Sequence, residues 1–283
     1  MLIAQITDVH IGFDRDNPEE ANLSRFRALL ARLAQGPNRP DMVLLTGDLT
    51  EHGDAPSYAR LAGALADCPL PVWPIPGNHD TRAAFRAAFP HVPAREGFVQ
   101  YALDAGSLRL LMLDTLEEGR HGGAFCDARA AWLADALAAE PDRPTLIVLH
   151  HPPIAAGIAW MDPDPDEPWI ARFRAATQGA GRIVGVVCGH LHRPIVANWQ
   201  GAPLVVAPSS APALALNLCA IDADAPDDRA LIRDEPPAFA LHFWDGQSLV
   251  THFESIGGFA AVARYDAKLQ PMIRDMLDEP PGR

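Results

Sequence analysis

Short apolar runs from Leu2 to Thr7, Met42 to Thr46 and Val72 to Ile75 alternate with stretches of helical period. Leu23, Phe26, Leu29, Leu30 and Leu33 recur at helical spacing until Gly36-Pro37 stops the pattern, and further helices are predicted around Tyr58 to Ala66 and Arg82 to Phe89. Near-continuous apolar strands alternating with helices imply parallel pairing with both faces covered.

Beyond residue 97 the rhythm changes. Phe98 to Leu103 and Leu108 to Leu113 flank Asp104-Ala105-Gly106-Ser107, a hairpin signal, and Phe239 to Trp244 and Leu249 to Phe253 flank Asp245-Gly246-Gln247-Ser248, a second one. Between them lie a helix near Ala128 to Ala139 and strands at Thr145 to Leu149 and Ile183 to Cys188, followed by several short strands. Antiparallel pieces beside parallel ones give the expected class: α/β, two face-to-face mixed β-sheets flanked by helices in four layers, α/β/β/α. Residues 1–256 read as one domain and 257–283 as a helical C-terminal extension, which could support contacts in a homo-oligomer or complete the domain. Proline-rich patches at Pro163 to Pro168 and Pro226 to Pro237 read as loops.

Composition narrows the function. The chain has 283 residues, 48% of them hydrophobic, with a formal net charge of -13 and no basic stripe. Binding to a nucleic-acid polymer is therefore not expected, and an anionic substrate needs a locally positive site. No segment has the length of a membrane span, and Met1 to Thr7 lack the features of a signal peptide, so a cytoplasmic location is expected. Cys68, Cys126, Cys188 and Cys219 are scattered without a C-x-x-C pair and read as buried, inert thiols in a reducing compartment.

Five segments carry the chemistry: Asp8-Val9-His10, Gly47-Asp48, Gly77-Asn78-His79-Asp80, His150-His151 and Gly189-His190-Leu191-His192. Alone, each aspartate is more often a helix cap and each glycine a tight turn. All five, however, follow predicted strands, and ligands of open α/β sheets bind beyond the carboxyl ends of strands. Carboxylate, imidazole and one amide oxygen, without thiolate, suit manganese, iron, zinc or cobalt better than calcium. Two such ions would bring four positive charges against the carboxylates of Asp8 and Asp48, making a cationic site in an acidic protein. Asp48, central in the set, is the natural bridge.

In order and type, the five segments resemble the signature of the calcineurin-like metallophosphoesterases over about residues 1–200. Glu51 stands where a tyrosine would mark the purple acid phosphatases, and the text around His150-His151-Pro152-Pro153 and Gly189-His190-Leu191-His192-Arg193 is most similar to bacterial class III cyclic-nucleotide phosphodiesterases and related glycerophosphodiesterases. The resemblance implies the metallophosphoesterase fold. It further implies that Asp8, His10, Asp48 and His192 hold one ion, that Asp48, Asn78, His150 and His190 hold the other, with His150 preferred to His151, and that His79 touches the phosphate or leaving group. Asp80 either orients His79 or caps a turn.

The expected reaction is hydrolysis of a small phosphodiester by water activated between two ions, with no phosphoenzyme. A phosphomonoesterase or nucleotide pyrophosphatase could use the same site, and a scaffold that lost its metals would show gaps among the ligands. The stretch Ile154 to Ile170, with Trp160, Met161 and Trp169 among acidic residues, reads either as a solvated loop or as a lid whose aromatics stack on a base or a cationic head group. His52, His91, His121, His242 and His252 read as surface or satisfied core residues.

Overall fold

The computed structural model describes residues 1–279, so the last four residues of the expected extension, 280–283, lie outside the described residues. The first half runs β1 (Leu2–Ile6), α1 (Ala21–Gln35), β2 (Met42–Thr46), α2 (Ala55–Leu65), β3 (Val72–Ile75) and α3 (Arg82–Ala88). The middle runs β4 (Tyr101–Ala105), β5 (Leu108–Met112), α4 (Asp127–Ala139), β6 (Thr145–Val148), α5 (Pro168–Thr177) and β7 (Ile183–Cys188). The last third holds β8 (Ile195–Trp199), β9 (Ala202–Val206), β10 (Ala213–Leu214), β11 (Ile232–Arg233), β12 (Ala238–Trp244), β13 (Leu249–Ser255) and α6 (Gln270–Asp278).

These strands form two mixed sheets, ordered β13-β12-β1-β2-β3 and β4-β5-β6-β7-β9-β8, and a small β10-β11 ribbon. In the first sheet β1, β2 and β3 are parallel and β12 runs against β1. In the second, β5, β6, β7 and β9 are parallel, with β4 and β8 antiparallel at the edges. The parallel strands are thus shared between two sheets.

The second sheet shows why its strands read as continuous apolar runs. Leu110, Met112, Leu146, Val148, Val187 and Val205 join the core of the first sheet together with Phe26, Leu29, Tyr58, Leu61 and Phe85 from α1, α2 and α3. Their neighbours Leu111, Leu113, Ile147, Leu149, Val186 and Val206 join Leu133 and Leu137 of α4 and Ile170 and Phe173 of α5. Alternation with period two therefore persists, but both faces are dry. The helices lie outside, in the expected four layers.

One polar chain crosses the apolar interface between the sheets. Gln5 Nε2 donates to Thr46 Oγ1 and to the Cys188 carbonyl at 2.9 Å each, and His242 Nε2 lies 3.0 Å from Gln5 Oε1. Burial lowers the His242 pKa to about 4, so this histidine is a neutral, satisfied core residue. The network fixes the two sheets to each other just below the carboxyl ends of β1, β2 and β7.

Several expectations need correction. Only Cys188 is fully buried; Cys68 and Cys126 are intermediate and Cys219 is exposed, all as free thiols. Residues 257–269 form no helix, and no residue of α6 is buried. The expected loop at Ile154 to Ile170 ends early, because Pro168 opens α5 and carries Trp169 into the core. Proline suits a first helical turn, where its missing N–H has no partner to lose. Among the described residues no helix is long and apolar enough to cross a membrane.

Candidate metal centre

The five segments meet in one cleft at the carboxyl ends of β1, β2, β3, β6 and β7, where the chain turns sharply out of each strand. Asp8, His10, Asp48, His190 and His192 all adopt left-handed backbone angles, with φ of 52°, 50°, 48°, 72° and 51°. Such residues cost about 1–3 kcal/mol each and persist where the surroundings enforce them, most often at functional sites. Here bonds between and within the sheets do the enforcing: across the sheets the Asp8 carboxylate accepts the His190 N–H at 3.0–3.1 Å, and between neighbouring strands of the first sheet Thr7 Oγ1 donates to the Thr46 carbonyl at 3.1 Å. Gly77 serves close approach, since a Cβ there would lie 2.3 Å from Asp48 Oδ1 and 2.8 Å from His150 Nε2.

Hydrogen bonds fix which imidazole nitrogens are bare. His10 Nδ1 donates to Glu51 Oε2 at 2.7 Å and His192 Nδ1 donates to the Pro212 carbonyl at 2.9 Å, yet their Nε2 atoms face each other 3.1 Å apart. His150 Nδ1 donates to the Thr46 carbonyl at 2.8 Å, which leaves its Nε2 facing Asn78 Oδ1 at 3.2 Å, and His190 Nδ1 lies 3.0 Å from the same oxygen. Lone pairs turned on one another repel unless a cation or a proton sits among them. The donor set therefore fits divalent ions at two places: Asp8, His10 and His192 cluster at one, and Asp8, Asp48 and His150 beside the other.

Asp48 stands between them. Its Oδ1 accepts the His79 N–H at 2.8 Å, while Oδ2 lies 3.3 Å from His150 Nε2 and 3.7 Å from His10 Nε2. Burial pushes the Asp48 carboxyl up, but His150, His10 and His79 outweigh it and hold the group well below the usual carboxylate range. Burial, helped by the neighbouring histidines (His151 and His150 at His190, His10 at His192), drives His190 and His192 down, which keeps their lone pairs available as ligands.

His150 behaves oppositely. Burial works against its charge, yet Asp48 overrides that and raises its pKa to about 9. In metal-free protein a proton thus occupies the position a cation would take, and an incoming ion must displace it. Affinity for Mn2+ is expected to climb about tenfold per pH unit from about pH 7 to about pH 9 and to level off above, with matching proton release by calorimetry. An affinity that does not change over that window would remove His150 from the ligand set.

His151 places Nδ1 2.8 Å from Thr115 Oγ1 and its other nitrogen is buried without a partner, while it still groups with His150 and His190 as a possible ligand. His79 lines the cleft with its Nδ1 3.0 Å from the Glu51 carbonyl. Asp80 is buried and accepts from the backbone N–H groups of Leu49, Thr50 and Gly77, from Thr50 Oγ1 and from the Tyr58 hydroxyl. Its carboxylate clamps the loops after β2 and β3 together, as the turn-capping alternative expects, and among the described residues it makes no hydrogen bond to the His79 ring.

Two residues escaped the sequence. Glu51 fixes His10 and its carbonyl fixes His79, adding a third carboxylate that makes the cluster less cationic than Asp8 and Asp48 alone imply. Its spacing three residues after Asp48 was the available signal. His121, read as an ordinary histidine, packs against His190 with ring centroids 4.7 Å apart and planes tilted by 46°, and lines the cleft. Burial lowers its pKa. Nothing in its local sequence marks it.

The cleft has a cavity volume of about 240 Å3. Beside the imidazoles its lining is apolar: Phe13, Trp160, Met161, Leu214 and Ile232, with Ala211 and Pro212. Among the described residues no lysine or arginine lines it. Trp160 thus stands where the lid reading expected, whereas Trp169 is 4% exposed and does not.

A sequence model of the calcineurin-like phosphoesterase family matches residues 1–194. The chain is 37% identical over 240 residues to a probable cyclic nucleotide phosphodiesterase of Rhodopseudomonas palustris, covering 81% of this chain and 82% of that one. It is 28% identical over 265 residues to a probable glycerophosphodiester phosphodiesterase of Arcobacter nitrofigilis, covering 92% and 94%. The 3',5'-cyclic adenosine monophosphate phosphodiesterase of Escherichia coli K12 is 29% identical over 227 residues, or 74% and 75% of the two chains. A crystal structure of a dimetal phosphatase from Danio rerio shares the fold, with a TM-score of 0.63 at 13% identity over 89% of this chain and 98% of that one.

Proposed function

The chain belongs to the calcineurin-like phosphoesterase family, and from that membership we propose a dinuclear, metal-dependent phosphodiesterase whose preferred substrates are cyclic nucleotides. The observation that carries the reading is Asp48 Oδ2 set between His150 and His10, 3.3 Å and 3.7 Å from their Nε2 atoms. Asp8, His10, Asp48 and His192 would hold one ion, and Asp48, Asn78, His150 and His190 the other. Imidazole-rich sets of this kind favour manganese, iron, zinc or cobalt. Bound there, a pair of divalent ions supplies an activated water and neutralises charge on a phosphodiester.

The protein's own groups do the rest. The Glu51 carbonyl pins the His79 Nδ1–H, leaving Nε2 as the nitrogen that meets the substrate; as an imidazolium it donates to a phosphoryl oxygen or to the departing alkoxide. Glu51 keeps His10 in the tautomer whose Nε2 is bare. Phe13, Trp160 and Ile232 offer a flat, apolar face to the ester group. With no lysine or arginine in the lining, a second phosphate lacks a permanently charged partner there, which favours a monoanionic diester carrying a base over a pyrophosphate or a monoester. The free thiols support a reducing compartment and hence the cytoplasm.

The test is metal-stripped protein restored with each ion in turn and assayed on 3',5'-cyclic adenosine monophosphate, a glycerophosphodiester, and aryl mono- and diesters. Diesters should exceed monoesters by at least about tenfold in kcat/KM, and Phe13→Ala should lower the cyclic nucleotide about tenfold relative to the glycerophosphodiester, as loss of one aromatic contact implies. A monoester preference would overturn the reading.

A further inference from the structure

His121 sits at the tip of the Gly119-Arg120-His121-Gly122-Gly123 segment between β5 and α4, outside the five segments. That segment is fixed at its base, where the Ala124 N–H donates to the Thr115 carbonyl at 2.9 Å. It is fixed again at Gly123, where a Cβ would lie 2.9 Å from His151 Cβ and 3.1 Å from Trp169. The backbone there must stay bare for the segment to seat. Seated, it puts His121 Nδ1 3.5 Å from Asn78 Nδ2 and its ring, tilted, against His190.

An asparagine amide can present either its oxygen or its nitrogen, and only the oxygen can bind a cation. Asn78 Oδ1 already lies 3.2 Å from His150 Nε2 and 3.0 Å from His190 Nδ1. What keeps the amide from turning over is an acceptor on its NH2 side. We propose that His121 is a positioning residue: its Nδ1 accepts from Asn78 Nδ2 and thereby holds Asn78 Oδ1 toward the ion at the Asp48–Asn78–His150–His190 position. The role rests on the two-ion reading above and is independent of the substrate.

Outer partners of metal ligands typically contribute 10–100-fold to affinity. Mn2+ binding to the full-length protein, followed by calorimetry and electron paramagnetic resonance, should resolve two sites, and His121→Ala should weaken one about tenfold while leaving the other unchanged. His121→Phe keeps a ring against His190 but offers no acceptor, and should behave as His121→Ala. His121→Gln restores an acceptor and should recover most of the affinity. Gly123→Ala, which displaces the segment without touching His121, should weaken the same site. Wild-type isotherms in His121→Ala or His121→Phe would overturn the proposal while the two-ion reading stands. Failure of the wild-type protein to bind two Mn2+ would overturn both.

Discussion

Asp48→Asn is expected to lower kcat/KM on any diester by about a thousandfold or more and to abolish binding of the second ion. The substitution is nearly isosteric, so folding should survive: an oxygen remains to accept the His79 N–H now held by Oδ1. What changes is the atom between the two imidazoles. An NH2 group in place of Oδ2 would present hydrogens at the point 3.3 Å from His150 Nε2 and 3.7 Å from His10 Nε2 where both ions need negative charge. A two-metal centre gains several kcal/mol of transition-state stabilisation by clamping both the attacking and departing oxygens, and one displaced ion forfeits that clamp. The measurement is metal stoichiometry alongside steady-state rates. Two tightly bound ions with wild-type turnover in the variant would show that Asp48 is no bridge.

His79→Ala should separate binding from proton transfer. Because His79 Nδ1 is held by the Glu51 carbonyl, the ring acts toward substrate and its removal should leave both ions bound. A positioned general acid contributes about 10²–10⁴-fold where the leaving group is a poor one, as an alkoxide is. The loss should therefore be about that size on cyclic nucleotides and at least about tenfold smaller on a 4-nitrophenyl diester, whose leaving group departs without a proton. Equal losses on both substrates would assign His79 to charge stabilisation alone, and loss of an ion would make it a ligand.

Much of the candidate site was legible because its residues are short segments fastened to strand ends. A short strand fixes where its next residue emerges, so sequence position alone brings Asp8, Asp48, Asn78, His150 and His190 to one edge of the sheets. The same logic placed the hairpins at β4-β5 and β12-β13 and the four layers. It failed for residues whose role depends on where a loop returns. His121 has no strand directly before it, and its place against His190 follows from the bare backbone at Gly123 packing on His151 and Trp169. Trp169 looked like part of a lid because a tryptophan among acidic residues reads as exposed, and only the start of α5 at Pro168 turned it inward.

The sequence by itself determined the family, the two-sheet architecture and the identity of the candidate ligands, because strand periodicity and residue chemistry are local properties. Tertiary structure supplied the contacts that depend on where each loop returns: Thr46 against His150 Nδ1 and Thr115 against His151 Nδ1, Asp80 between the loops after β2 and β3, Glu51 behind His10, and Phe13, Trp160 and Ile232 in the lining of the cleft. The physical reason is that an imidazole or a carboxylate has the same chemistry wherever it stands. Which of its atoms is free is set only by the neighbours that the folded chain brings to it.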